Sequence, residues 1–125
     1  MTDTLKHILI AEDDELIIQM YQAALVNAPF QMHVVKDGGA AWDALQTFTP
    51  NVVILDIMMP RFNGIEVLTK IRADAKLSKI PVIIMSSLAD EADKKRALDA
   101  GATDYWVKNE VNMIEFGDKI SKVMQ

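Results

Sequence analysis

An α/β fold is what this sequence predicts: five βα units building a mostly parallel, doubly wound sheet with helices on both faces and right-handed crossovers. Three observations carry the prediction. Short apolar runs alternate with amphipathic stretches along the whole chain. The connections between them are short, and strands joined through helices are parallel. The most informative run, 52–55, is apolar without alternation, mostly β-branched, and follows the breaker pair Pro50-Asn51. Such a run suits a strand covered on both faces.

The strands are expected at 7–11, 32–35, 52–55, 82–85 and 104–107. The first helix is expected over 14–27, with Leu16, Ile17, Met20, Tyr21, Ala24 and Leu25 on one face, and Asn27 and Pro29 marking its end. A second covers 39–48, turning Ala41, Ala44, Leu45 and Phe48 inward. Pro60, Asn63 and Gly64 make a turn into a third helix, which uses Ile65, Leu68 and Ile71. The fourth, 90–100, offers a core mainly Ala92, Ala97, Leu98 and Ala100 between charges, so it should be the most loosely held; Gly101 fits a left-handed C-cap. The fifth, 111–124, is amphipathic through Phe116, Ile120, Val123 and Met124.

Composition narrows the function. The 125 residues are one domain's worth, half hydrophobic and a quarter charged, as in an ordinary soluble globular protein. No output domain is expected after the fifth helix. The chain has no cysteine, which removes disulfides, thiolate metal sites and cysteine nucleophiles. No apolar run reaches the ~20 residues of a membrane span, and the N-terminus lacks a signal-peptide core, so cytoplasmic residence without membrane insertion is expected. A net charge of −5 without a basic stripe argues against direct nucleic-acid binding.

Chemistry-bearing residues collect at the carboxyl ends of the expected strands, where open α/β sheets bind ligands. The first strand ends in Glu12-Asp13-Asp14-Glu15, the third in Asp56, the fourth in Ser86-Ser87 and the fifth in Lys108. If strands one and three are adjacent, Glu12, Asp13 and Asp56 form an acidic pocket whose mutual repulsion a hard, oxygen-seeking divalent cation relieves; Mg²⁺ is the usual one where phosphate is handled. Each residue also has a structural reading. Asp56 can begin a turn, Asp14 looks like a helix N-cap, and Glu15 looks like a solvated first-turn acid. Ser86 can be a turn hydroxyl, Lys108 a surface charge and Tyr105 a core aromatic. Their joint position at four strand ends favours a site.

These residues bring a family into view. The chain resembles, over essentially its whole length, the receiver domain of bacterial two-component response regulators. ILIAEDDE at 8–15 resembles the family's first strand with its acidic pair, and LDIMMPRFNGIE at 55–66 the phosphoacceptor strand and loop. PVIIMSS at 81–87 matches the strand carrying the hydroxyl residue, and ALDAGATDYWVK at 97–108 the segment with the switch aromatic and the lysine. The resemblance implies a flavodoxin-like (βα)5 sheet of strand order 2-1-3-4-5. It implies phosphorylation of Asp56 by a histidine kinase, a histidine phosphotransfer protein or a small phosphodonor. It further implies Mg²⁺ held by Asp13, Asp56 and the Met58 backbone carbonyl, with Glu12 acting through water. The acidic pair aligns to Glu12-Asp13 because the apolar strand ends at Ala11, with Asp14 the alternative. Lys108 and Ser86 would each bond a phosphoryl oxygen, and Ser86 and Tyr105 would switch a partner-binding face made of the fourth helix, fifth strand and fifth helix.

Three departures qualify the resemblance. Asn109 replaces the proline usual after the lysine, so a trans peptide and an altered fifth loop are expected, since a cis bond before a non-proline residue costs ~3–4 kcal/mol. Trp106, beside Tyr105, should face the opposite side of its strand, and if exposed would anchor a partner. Leu88 is expected to obstruct attacking water and prolong the phosphorylated state.

The reading is a stand-alone regulator that catalyses only its own phosphorylation and dephosphorylation. One rival is a degenerate receiver that binds partners without phosphorylation. Another is a Mg²⁺-dependent phosphohydrolase, disfavoured because Met58 stands where haloacid-dehalogenase-like enzymes place a second acid. The third, a flavin or dinucleotide carrier, lacks a GxGxxG after the first strand, and the acidic loop there would repel a cofactor phosphate.

Overall fold

The five apolar runs become strands: β1 (Lys6–Ala11), β2 (Phe30–Val35), β3 (Val52–Asp56), β4 (Val82–Ser86) and β5 (Asp104–Val107). They pair in parallel in the order β2-β1-β3-β4-β5, in a computed structural model that describes residues 5–59, 61–87 and 90–124. Every residue of β3 and β4 is buried, as expected of strands flanked by neighbours and covered on both faces. The chain thus has the flavodoxin-like order that the resemblance implied.

Between the strands run α1 (Glu15–Leu25), α2 (Gly38–Leu45), α3 (Gly64–Ala73), α4 (Glu91–Asp99) and, after β5, α5 (Phe116–Val123). Leu9, Val53, Leu55, Val82 and Ile84 pack on one face of the sheet with Leu45, Leu68, Ile71 and Ala97 from α2, α3 and α4. Ile8, Ile10, Ile54, Ile83 and Met85 pack on the other with Tyr21 and Leu25 of α1 and Phe116 and Ile120 of α5. The period-two alternation of each strand sorts its side chains between these two cores. Each fully buried Leu or Ile contributes about 1.5–3 kcal/mol.

Several expectations need correction. The buried face of α1 is Ile18, Tyr21 and Leu25, whereas Leu16 and Met20 are 71% and 51% exposed. The helix carries two neighbouring apolar stripes, and only one can face the sheet. Helix α2 stops at Leu45, and Phe48 packs beyond it against His33, with ring centres 4.6 Å apart. Helix α5 begins at Phe116 rather than at residue 111, because Lys108–Glu110 and Met113–Glu115 form two 3-10 turns. The Lys108–Asn109 peptide is trans, and no cis peptide occurs among the described residues.

Local signals explain the other ends. Asp14 caps α1 by accepting the amides of Leu16 and Ile17 at 2.9 and 3.4 Å. Asn63 caps α3 in a capping box with Glu66. Gly101 takes a φ of +105° at the end of α4, the left-handed position expected of it. Only Asp93 and Ala97 of α4 are buried, while Ala92 and Leu98, expected to face the core, are exposed, so this helix surrenders little apolar area if it shifts. Pro60, expected in the turn before α3, and Leu88, expected to shield the site from water, lie outside the described residues.

Candidate functional site

The carboxyl ends of β1, β3, β4 and β5 converge, because parallel strands all finish on the same edge. Asp56 is the last residue of β3, paired in register with Met85; Ser86 follows Met85 as the last residue of β4 and lies opposite Val107. Glu12 immediately follows β1 and is fixed by its own amide, which donates to the Val35 carbonyl at 2.9 Å. Glu12, Asp56 and Ser86 are all buried, while Asp13 is exposed at the rim.

Lys108, the first residue past β5, reaches back across this edge. Its Nζ donates to Asp56 Oδ2 at 2.8 Å and also to Glu12 Oε1. Its side chain is 13% exposed, so this is a shielded ion pair rather than a surface one. Burial pushes the Glu12 carboxyl up, and the Lys108 hydrogen bond and the Asp14 amide only partly offset it. For Lys108, burial favours the neutral amine, but the hydrogen bonds it donates to Asp56 and Glu12, with their charges, outweigh it and hold the ammonium above its ordinary range. Beneath the carboxylates lies Tyr21, whose hydroxyl donates to Met85 Sδ at 3.6 Å. Its phenol is pushed up, first by burial and then by the charges of Glu12 and Asp56.

One carboxylate oxygen from each of Glu12, Asp13 and Asp56 lies within 4.8 Å of the others. An oxygen-only set with one member open to solvent suits Mg²⁺, which keeps several of its waters. Asp14 is committed to its cap, so the acidic pair is Glu12-Asp13. Met58 follows on the β3–α3 loop, its amide donating to Asp56 Oδ1 at 3.2 Å. Gly64 allows α3 to start against the end of β3, since a Cβ there would stand 2.4 Å from the Asp56 carbonyl oxygen.

The two aromatics of β5 face opposite ways. Tyr105 belongs to the core under α2, α3 and α4, and Trp106 to the core under α1 and α5. Trp106 is 4% exposed, its indole donating to Asp104 Oδ2 at 2.8 Å, so it is not the exposed anchor entertained from sequence. Tyr105 is already inward, 7% exposed. The contact with Tyr21 and the tip of the β3–α3 loop were not anticipated from sequence.

Comparison with known proteins agrees with this arrangement. The family described as "Response regulator receiver domain" matches residues 8–116. The DNA-binding response regulator MtrA of Mycolicibacterium smegmatis is 35% identical over 107 residues, covering 85% of this chain and 46% of MtrA. The phosphorylated cyanobacterial phytochrome response regulator RcpA superposes with a TM-score of 0.84 at 28% identity, over 96% of this chain and 91% of that one. The Mn²⁺-bound form of response regulator Rcp1 gives 0.82 at 25% identity, over 94% and 92%. This chain spans less than half the length of the curated relatives it matches.

An acidic, lysine-bridged pocket at the carboxyl edge of a 2-1-3-4-5 sheet defines a phosphorylation-type signalling module. The chain belongs to the response regulator receiver domain family of two-component signalling. Such domains accept phosphoryl groups from histidine kinases, bind Mg²⁺ at an acidic pocket and act as signalling modules rather than as classical enzymes.

Proposed function

We propose that this chain is a cytoplasmic switch that takes a phosphoryl group on Asp56 from a histidine kinase or histidine phosphotransfer protein and then changes its affinity for a protein partner. The observation that carries this reading is the placement of Lys108, held between Glu12 and Asp56 at the edge of a carboxylate cluster. Asp13, Asp56 and the Met58 carbonyl would hold Mg²⁺, with Glu12 acting through water. When bound, the cation neutralises the charge that would otherwise repel an anionic donor. The Mn²⁺-bound Rcp1 and phosphorylated RcpA relatives support both parts of this reading.

The Asp56 carboxylate attacks the phosphorus of the donor, and the donor's imidazole or carboxylate leaves. Phosphoryl transfer asks the protein mainly for positioning and charge compensation. Lys108 follows its Asp56 contact onto a phosphoryl oxygen as a charge-assisted bond. Ser86, at the end of the neighbouring strand, donates its hydroxyl to another and passes the change toward α4. Tyr105 packs beside Ala97 of α4 in the same core, so a shift of that thinly packed helix repositions the tyrosine and the α4-β5-α5 face. That face carries a groove lined by Asp90, Glu91, Lys94, Tyr105 and Lys119, available to a protein partner.

Incubation with acetyl phosphate and Mg²⁺, read by intact mass, tests the reading. A single phosphoryl adduct is expected, absent in Asp56→Asn and in EDTA. No adduct under any condition would favour a phosphorylation-independent binding module. An adduct on Asp56→Asn would remove Asp56 as acceptor.

A further inference from the structure

The described residues of the β3–α3 loop, 57–59 and 61–63, are tied at both the base and the tip. At the base, the Gly64 amide donates to the Ile57 carbonyl at 3.1 Å. At the tip, Arg61 adopts a φ of +67°, unusual for a residue with a long side chain and sustained only where the surroundings impose it. The surroundings here are the N-terminus of α2. Arg61 Nε and Nη2 lie 2.9 and 2.7 Å from Asp37 Oδ1. Asp37 also caps α2 by accepting the Ala40 amide at 2.7 Å. That amide, and then the guanidinium, hold the Asp37 carboxyl below its usual range.

Two glycines make the approach possible. A Cβ on Gly38 would lie 1.9 Å from the Phe62 carbonyl oxygen, and one on Gly39 would lie 2.3 Å from Arg61 Cζ. The loop tip therefore rests directly on the first turn of α2. The Lys70 ammonium extends the contact, 5.0 Å from the Phe62 ring centre and 5.5 Å from that of Trp42 on α2. A loop carrying Met58 next to the phosphoacceptor is thus joined to a helix that the switch account above does not use.

We propose that Asp37 and Arg61 are positioning residues: their clamp holds the β3–α3 loop in the shape from which the Met58 carbonyl meets the cation, and couples metal loading at Asp56 to the N-terminus of α2. This inference rests on the metal site described above. A preformed loop spares the cation the entropy of ordering it, so loosening the tip weakens binding without touching a ligand. Arg61 is 57% exposed in its side chain and Asp37 27%, so the effect is modest, about threefold in Mg²⁺ affinity.

Proton–nitrogen NMR of the full chain during Mg²⁺ titration tests it. In the wild type, the amides of Gly38 and Gly39 and the Trp42 indole shift saturably in step with the Met58 amide. Asp37→Asn keeps an oxygen for the Ala40 amide, and Arg61→Asn tolerates the left-handed backbone, so neither loses its local structural role. Each is expected to bind Mg²⁺ about threefold more weakly and to uncouple the α2 signals, with unchanged melting in EDTA. The double variant is expected to bind no more weakly than the worse single one. Should a variant fold poorly, Arg61→Gly, with no guanidinium and a backbone at ease at positive φ, is expected to show the same weakening. Wild-type affinity in the variants, additive losses, or α2 signals that ignore Mg²⁺ in the wild type would overturn the clamp. A wild type that shows no saturable shift, like Asp56→Asn, would overturn the metal site itself and the clamp with it.

Discussion

Replacing Lys108 with methionine keeps the length of the side chain and removes the ammonium that faces Glu12 and Asp56. Removing one partner of a buried ion pair costs 3–5 kcal/mol because a charge is left uncompensated. Asp13 is exposed and lets water to the rim, which places this variant at the lower end, about 3 kcal/mol. For a chain of this length that corresponds to a melting temperature lower by roughly 10 °C. Mg²⁺ should restore much of the loss, because the lysine-free cluster carries one more net negative charge for the cation to meet. In the wild type, Mg²⁺ at ten times its Kd adds about 1.4 kcal/mol; the variant should gain more. Urea unfolding at pH 7 with Mg²⁺ and with EDTA measures both quantities. A loss under about 0.5 kcal/mol in EDTA, or an equal Mg²⁺ gain in the two proteins, would refute the reasoning.

The pH dependence of the same pair supplies a second test. The raised Lys108 value stabilises the fold fully below its unfolded pKa of about 10.4, and this contribution is lost as pH rises through the higher folded value. The deficit of Lys108→Met should therefore hold across neutral pH and close in alkali above about 10.4. It should also shrink on acidification, because Glu12 binds its proton more tightly folded than unfolded, and protonation removes the uncompensated charge. Gly64→Ala drives a methyl into the Asp56 backbone carbonyl and should destabilise by about 1–3 kcal/mol while distorting the acceptor strand, read as slower labelling by acetyl phosphate. In α1, Ile18→Ala should cost about 2–4 kcal/mol and Leu16→Ala less than about 0.5 kcal/mol in urea unfolding; equal losses would contradict the observed burial.

Much of the architecture is written locally, and its failures are local too. Runs such as 52–55 and 82–85 are strands because continuous, mostly β-branched apolar residues suit a buried parallel sheet, and the residues that follow them, Asp56 and Ser86, were readable as site candidates. The order of the strands is not local, and it came from the family resemblance. Helix α1 misled because Leu16 and Met20 form an apolar stripe beside the one the sheet buries. Helix α5 was started too early because Val111, Met113, Ile114 and Phe116 mimic helical spacing across two 3-10 turns. Within the site, the acidic pair was legible from where the apolar strand stops. The bridge from Lys108 to Glu12 joins residues 96 positions apart and became visible only when four strand ends met. The Asp37–Arg61 contact was hidden for the same reason, and Gly39 read simply as the start of a helix.

The central claim is that Glu12, Asp13, Asp56, Ser86 and Lys108 form a single phosphoryl-accepting constellation. A crystal structure with Mg²⁺ and beryllofluoride tests it most directly. The account predicts beryllium on an Asp56 carboxylate oxygen, fluorines bonded to Lys108 Nζ and Ser86 Oγ, and the cation on Asp13, Asp56 and the Met58 carbonyl. A mimic seated on another carboxylate, or a Lys108 still bonded to Glu12 and turned away from the fluorines, would contradict it.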